Sequence, residues 1–488
     1  MNDAPLDVGR ALAHGSAWMV GLRWAVRGLG LLSTFVLARL LSPGDFGLVA
    51  MAMLVVGLVE VFGQAGQQLA LIRIPEPTRA DYDSAWTLGI LVGVAVTLLL
   101  WLVAPLAALY FHEPRATWMV RLLALRPLLG ALDNIGVVAF RAELRFSREF
   151  AFQILQRFGV MGVTIGGALW LRDERALVAG ILGGQALGVA LSYALHPYRP
   201  RLSLARARGL LAFSGWMLLV NVTQYIHDKA DEMVVGGVAD AAAMGRYAVS
   251  SDAGTAPTIE VVLPATRALF PVFARISNDP VAVRAAYLDV FAAACLISVA
   301  TGAGMALVAG DFVRVALGGQ WVEAVPLVRL LAIAGGLYGI MHNGITVLGA
   351  TGHARLGGLL SASRTLVLIP ALIAAGLLGG VAAIAAARTL ITLAFIPGIC
   401  VAIARVLPVT LGDMAARLWR PLLAALAMAA VVLAVQAASP PTPWIRLLLA
   451  MGAGGLAYLG AVLALWHAAG RPAGLEAALT RQFTARRS

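Results

Sequence analysis

Apolar runs of about twenty residues recur along the whole chain, and each is long enough to cross a hydrocarbon core of about 30 Å as a helix. They fall near residues 17–40, 46–69, 85–109, 117–139, 149–170, 177–195, 210–236, 246–272, 285–309, 324–348, 356–377, 380–402, 418–437 and 446–467. Connections are short, so no soluble domain fits between them. The runs are also too long and continuous for the ten-residue alternating strands of an outer-membrane barrel. Composition agrees: 60% of the 488 residues are hydrophobic and 13% charged, against about 25% charged in a soluble domain. The sequence therefore predicts an all-α polytopic membrane protein of about fourteen transmembrane helices. Ala11-Leu12-Ala13 looks like a signal-peptidase site, but it precedes the first apolar run instead of following it. That span is expected to stay attached.

The formal net charge is +12. The basic residues are scattered among apolar runs, which argues against nucleic acid as a partner. All but Lys229 of the 37 are arginine, a side chain that keeps its proton when partly buried and matches phosphate with a planar fork. If both termini are cytoplasmic, twenty arginines lie on inside connections and five (Arg115, Arg172, Arg175, Arg314 and Arg446) on outside ones. That asymmetry satisfies the positive-inside rule. Cys295 and Cys400 both sit in apolar runs, and the seven histidines are dispersed. Neither a disulfide framework, a metal site, a cofactor nor an enzyme constellation is indicated.

Two echoes point to duplication. Val120-Arg121-Leu122-Leu123-Ala124-Leu125 returns as Val328-Arg329-Leu330-Leu331-Ala332-Ile333, and Ser42 to Ala50 is answered by Ala239 to Val249. Both echoes shift by six spans. An even shift preserves orientation, so the halves are expected to be parallel repeats related by an axis along the membrane normal. The expected divisions are residues 1–200 (helices 1–6), 201–405 (helices 7–12), and 406–488 (two added helices and a basic tail).

Ionisable groups inside a bilayer are costly and normally face a bundle interior or wet cavity. Span one carries Arg23, Arg27 and Thr34; Arg23 suits snorkelling, whereas Arg27 lies a turn deeper and suits an anion. Span two carries Glu60, Gln64 and Gln67 or Gln68, and span five Gln153, Arg157 and Thr164. Interhelical hydrogen bonding is an equal reading of both stripes. Span four places Arg126, Asp133 and Asn134 on one side. In span seven Asn221, Gln224, Asp228, Asp231 and Glu232 form a polar face beside Lys229, whose outer members are either solvated or functional. Span eight carries Asp252, Glu260 and Arg267, with Gly254, Pro257 and Pro264 predicting a bent or broken helix. Arg23, Arg27, Arg126, Arg157, Arg267, Gln64, Asn221 and Gln224 are thus the candidate substrate-binding residues. Glu60, Asp133, Asp228 and Glu260 are the candidates for ion coupling.

The stretch Leu37-Ala38-Arg39-Leu40-Leu41-Ser42-Pro43-Gly44-Asp45-Phe46-Gly47, continuing to Gly63-Gln64-Ala65-Gly66-Gln67, resembles the opening of the bacterial polysaccharide-transport family of oligosaccharide flippases. Gly245-Arg246-Tyr247 through Leu269-Phe270-Pro271-Val272-Phe273-Ala274-Arg275 is similar to that family's eighth helix. The resemblance implies a transporter of the multidrug/oligosaccharidyl-lipid/polysaccharide superfamily, built as two six-helix lobes plus two C-terminal helices. It also implies a cargo of polyprenyl-diphosphate-linked oligosaccharide crossing the inner membrane, with polysaccharide polymerase and chain-length proteins as candidate partners. A lipid II flippase and a cation-coupled multidrug exporter are the rival readings. The second fits less well, because this first span supplies arginines where such exporters commonly supply an acid.

Overall fold

The computed structural model describes residues 8–63, 78–137, 146–207, 214–439 and 442–470. Along them run α1 (Val8–Leu40), α2 (Pro43–Gly63), α3 (Arg79–Phe111), α4 (Arg115–Leu123), α5 (Leu125–Ala131), α6 (Phe146–Leu171) and α7 (Arg175–Leu195). They continue as α8 (Ser214–Val238), α9 (Ala241–Ile276), α10 (Pro280–Phe312), α11 (Val325–Ala350), α12 (Ala354–Val406), α13 (Leu411–Ala438) and α14 (Pro443–Ala468). Among the described residues there is no strand. α4 and α5 together occupy the fourth expected span, and α12 covers the eleventh and twelfth, turning at Gly380, whose φ of 69° is left-handed and suits glycine.

By length and mean hydropathy, nine described helical stretches are apolar enough to cross a membrane, with Ala354–Val406 counted once. The remaining expected spans are α1, α4 with α5, α8 and α9. These four hold Arg27, Arg126, Asp228 and Glu260, whereas Glu60 and Arg157 lie within apolar stretches. Of the two alternatives expected for span eight, a bend or a break, the break is absent. α9 runs as one helix through Gly254, Pro257 and Pro264, so it is not broken there. A Cβ on Gly254 would lie 2.9 Å from the backbone nitrogen of Ala332; the glycine serves close packing on α11. A proline removes a single N–H bond, and the Thr258–Thr301 hydroxyl bond of 2.7 Å helps tie α9 to α10 at this level.

Two compact units divide the chain, Met1–Gly245 and Arg246–Ser488. In the first, α6 and α7 form the most extensive helix pair. Ala176, Gly180, Gly184, Gly188 and Ser192 place a small residue at every fourth position of α7, and all are buried. Cβ atoms at Gly180, Gly184 and Gly188 would collide with Thr164, Val160 and Gln156 of α6. Small residues let membrane helices approach closely where water supplies no hydrophobic drive. At one end of this unit Arg115 grips Glu113 at 3.0 and 3.2 Å and lies 3.8 Å from Glu174, tying the α3–α4 connection to that between α6 and α7. Its hydrogen bonds hold the Glu113 carboxyl below the usual range.

The second unit has a core of Phe273, Tyr287, Phe291, Cys295 and Ile403 among others. Its helices α10 and α11 meet through glycines: a Cβ on Gly336 would lie 2.8 Å from the Ser298 carbonyl oxygen. The buried Asp311 of α10 takes a bidentate grip from Arg446 of α14, with Nε to both carboxylate oxygens at 2.9 Å. Arg446 thus has a structural role.

The sequence echo at Ser42 and Asp240 corresponds to a reciprocal contact. Asp45 accepts from the Ser42 backbone N–H at 2.8 Å and Asp240 from the Ala243 N–H at 2.7 Å, so both helix starts are capped by an acidic side chain. Gly47 and Gly245 each lie five residues after the residue that precedes the helix, Ser42 and Asp240. A Cβ on Gly47 would fall on the Ala241 carbonyl oxygen, and a Cβ on Gly245 on the Pro43 carbonyl oxygen. Each glycine therefore faces the first helical residue of the other helix.

Candidate functional site

Arg157 projects from α6, half-buried, and lays its guanidinium against α1 at Gly30. A Cβ there would sit 3.5 Å from the guanidinium carbon, so glycine keeps that seat open. Arg27, one turn earlier on α1, lies close enough to repel Arg157 electrostatically. Two of the predicted anion-binding residues, drawn from helices far apart in sequence, are thus brought together. Beside them is a cavity of about 200 Å³, lined by Gly30, Thr34, Arg157 and Thr164 and closed by apolar groups such as Phe46 and Ile181.

Both threonine hydroxyls donate to their own helices, Thr34 to the Gly30 carbonyl at 3.0 Å and Thr164 to that of Val160 at 2.6 Å. Hydrogen-bond donation into the cavity is thus left to Arg157 and the Ser33 hydroxyl. A bound anion there would meet the Arg157 guanidinium through charge-assisted hydrogen bonds. The space accommodates a charged group of a few heavy atoms but not an oligosaccharide. Arg23 lies on α1 and Arg267 on α9, with both side chains outside the described residues; Gln64, Gln67 and Gln68 lie wholly outside them.

A second cluster pairs residues that the sequence assigned to different tasks. Arg126 of α5 meets Glu60 of α2 at 3.1 Å. Beside them Tyr225 of α8 donates to the Leu54 carbonyl at 2.9 Å, its hydroxyl filling the space left by Gly57. Glu60 already holds a counterion, and Arg126 carries less net charge toward a cargo than it would alone.

Arg126, Asp133 and Asn134 do not share a helical face as expected, because α5 ends at Ala131, before Asp133 and Asn134; the stop at Ala124, whose carbonyl accepts from Thr97 at 2.8 Å, lies upstream of all three. Asp133 receives a hydrogen bond from Gln185 of α7 at 3.5 Å. Its other carboxylate oxygen is buried with no hydrogen-bond partner among the described residues. Asn134 is a structural clamp, donating to the carbonyls of His196 and Tyr198 at 3.2 and 2.7 Å.

On α8, Gln224 donates to Asp228 at 2.9 Å, both exposed, and Asn221 is half-buried. Solvation does not account for Asp231 and Glu232, which are 2% and 7% exposed. Lys229, one helical turn before Glu232, meets it at 2.6 Å. Glu260 is half-buried on α9.

One residue escaped sequence reasoning. Arg364 of α12 is buried, with Nη1 3.8 Å from the Met341 sulfur and its guanidinium 5.8 Å over the Tyr338 ring. Arg148 and Arg157 on α6 recur as Arg355 and Arg364 on α12 at one common interval of 207 residues. That repeated spacing of nine, within a residue of the Val120 echo, is the signal that identifies Arg364 as the counterpart of Arg157.

The family described as "Polysaccharide biosynthesis protein" matches residues 36–326, more than half of the chain. The chain belongs to that family. Its similarity to curated members is moderate. It is 22% identical to the lipopolysaccharide biosynthesis protein WzxC of Escherichia coli (strain K12) over 370 residues, 75% of each chain. It is 23% identical to the succinoglycan biosynthesis transport protein ExoT of Rhizobium meliloti over 338 residues, 67% of each. Among solved structures, the lipid II flippase MurJ in an inward closed conformation aligns at a TM-score of 0.75 with 14% identity, covering 93% of this chain and all of that one. An inward-facing multidrug resistance MATE transporter aligns at 0.58 with 15% identity, covering 78% of this chain and 95% of that one. The fold of this family member is thus that of all-α polytopic membrane transporters.

Proposed function

We propose that the chain is a flippase, not an enzyme, that carries a polyprenyl-diphosphate-linked oligosaccharide across the bacterial inner membrane for polysaccharide assembly, working by alternating access. The observation that carries this reading is Arg157 lining the 200 Å³ cavity against Gly30, with Arg27 one turn before Gly30 on the same helix, in a member of a polysaccharide biosynthesis family. Paired guanidinium groups suit a diphosphate, while the lipid tail can remain in the bilayer. Arg23, Arg126, Arg267, Gln64, Asn221 and Gln224 extend the proposed path. A coupling cation or proton is assigned first to Asp133, whose buried oxygen has no hydrogen-bond partner among the described residues, and then to Glu60, Asp228 and Glu260. Lipid II remains the nearest alternative cargo, since MurJ shares the fold; membership of the polysaccharide family favours the first reading.

A strain lacking the gene is expected to accumulate a lipid-linked intermediate whose headgroup is the repeat unit of a surface polysaccharide. Mass spectrometry of extracted lipids reads the outcome, and accumulation of lipid II instead would replace this cargo with the alternative. The proposed orientation, with both termini cytoplasmic, follows the arginine asymmetry. Reporter fusions should give a cytoplasmic signal at Arg201 and an external one at Asp240; the reverse pattern would invert the orientation.

A further inference from the structure

Between α7 and α8 the chain does not leave the bundle freely. Residues 196–206 follow an irregular path along the beginning of α3, held by three polar side chains that are almost wholly buried, Asp83, Ser84 and Thr87. Asp83 accepts from the Tyr198 hydroxyl and the Arg201 N–H, each at 2.8 Å. Thr87 accepts from the Ser203 N–H at 2.9 Å and Ser84 from the Arg206 N–H at 3.1 Å. Asn134 and the Arg199 guanidinium hold the carbonyls at the other end of this strap. Buried polar groups on α3 are thereby satisfied by backbone of the strap.

The strap's outward side chains are of a different kind. Leu202 and Leu204 are 75% and 53% exposed, and Arg201 and Arg206 are exposed on either side of them. The level at which they sit is set by α3. Asp83 is the last charged residue of that helix, and none occurs from Ser84 to Phe111. Asp83 to Thr87 therefore marks the boundary between headgroups and hydrocarbon, and the strap docks there. An exposed Leu-Ser-Leu flanked by arginines costs free energy in water. It suits an interface in which the leucines enter the acyl boundary and the guanidinium groups meet lipid phosphates.

We propose that Arg201, Leu202, Leu204 and Arg206 form a docking surface for the headgroup of an anionic phospholipid. The strap is rigid because its backbone hydrogen bonds are made inward, which leaves these four side chains available for the lipid. The surface is separate from the arginine pair at Gly30 and does not depend on which cargo is moved.

The test uses the purified full chain in detergent micelles, with phosphatidylglycerol or phosphatidylcholine added. Phosphatidylglycerol should raise the melting temperature by roughly 3 °C more than phosphatidylcholine. The double variant R201Q/R206Q should lose that difference while melting normally in phosphatidylcholine, since the strap is held by its backbone N–H groups and Arg206 adds only an attraction to the exposed Asp81. L202S/L204S should halve it. Equal stabilisation of the wild type by both lipids would overturn the proposal, as would full retention in R201Q/R206Q. Inorganic pyrophosphate is the control for a simple anion site: it should give no shift, and reproduction of the lipid effect by pyrophosphate alone would also overturn it.

Discussion

Arg157→Ala is expected to stop polymer export while leaving the protein in the membrane at wild-type abundance. The guanidinium of Arg157 lies against Gly30 of α1 and contributes charge to the cavity beside it. It shares that region with Arg27, which repels it. Arg157 is half-buried and rests against a glycine, so the fold should survive the substitution. The cost instead appears when the anionic headgroup enters. Truncating one member of a buried, hydrogen-bonded charge pair costs about 2–5 kcal/mol, which corresponds to roughly a thirtyfold loss or more at the low end. Arg27→Ala should behave in the same way, and Arg157→Lys should recover part of the activity because it keeps charge but not the planar fork. Surface polysaccharide per unit of membrane protein is the quantity to measure. Normal export by Arg157→Ala, with abundance unchanged, would remove this arginine from the cargo path.

How much of this was legible in sequence depends on the range over which each signal acts. Hydropathy is a local sum, and the fourteen spans correspond to the helices closely, even where α12 joins two of them through Gly380. The arginines of spans one and five were recognisable as out of place in lipid, but only tertiary packing could bring Arg157 to Gly30. Partner choice was the harder problem. Glu60 and Arg126 were separately conspicuous, and their 3.1 Å ion pair depends on how α2 meets α5. Asp133 and Asn134 were assigned to the face of Arg126 by assuming that its helix continues past Ala131, where it ends. The small-residue stripe of α7, at a strict interval of four, was readable in principle, because such spacing marks close helix contact. The break that the prolines of α9 suggested is absent, since one missing N–H does not break a helix that is braced by its neighbours.

The largest expected effect on the fold is at the reciprocal glycines. A Cβ at Gly47 meets backbone, the carbonyl oxygen of Ala241, and a Cβ at Gly245 meets the carbonyl oxygen of Pro43. Flexible side chains can swing away from an added methyl; a capped helix start cannot. Ser42 with Asp45 fixes the first turn of α2, and Asp240 fixes that of α9, so relief requires moving a whole helix. Overpacking a close contact costs about 1–3 kcal/mol, and contact with backbone on both sides puts Gly47→Ala and Gly245→Ala at the upper end. Each should lower the melting temperature of the purified protein by several degrees, about 2–4 °C per kcal/mol on the scale of soluble domains of 150–250 residues. Gly30→Ala provides the contrast, because the Cβ there meets the mobile end of Arg157; it should leave stability nearly unchanged and reduce export. If Gly47→Ala melts with the wild type, the two helix starts do not make the close reciprocal contact, and the duplication would lose its structural counterpart at Ser42 and Asp240.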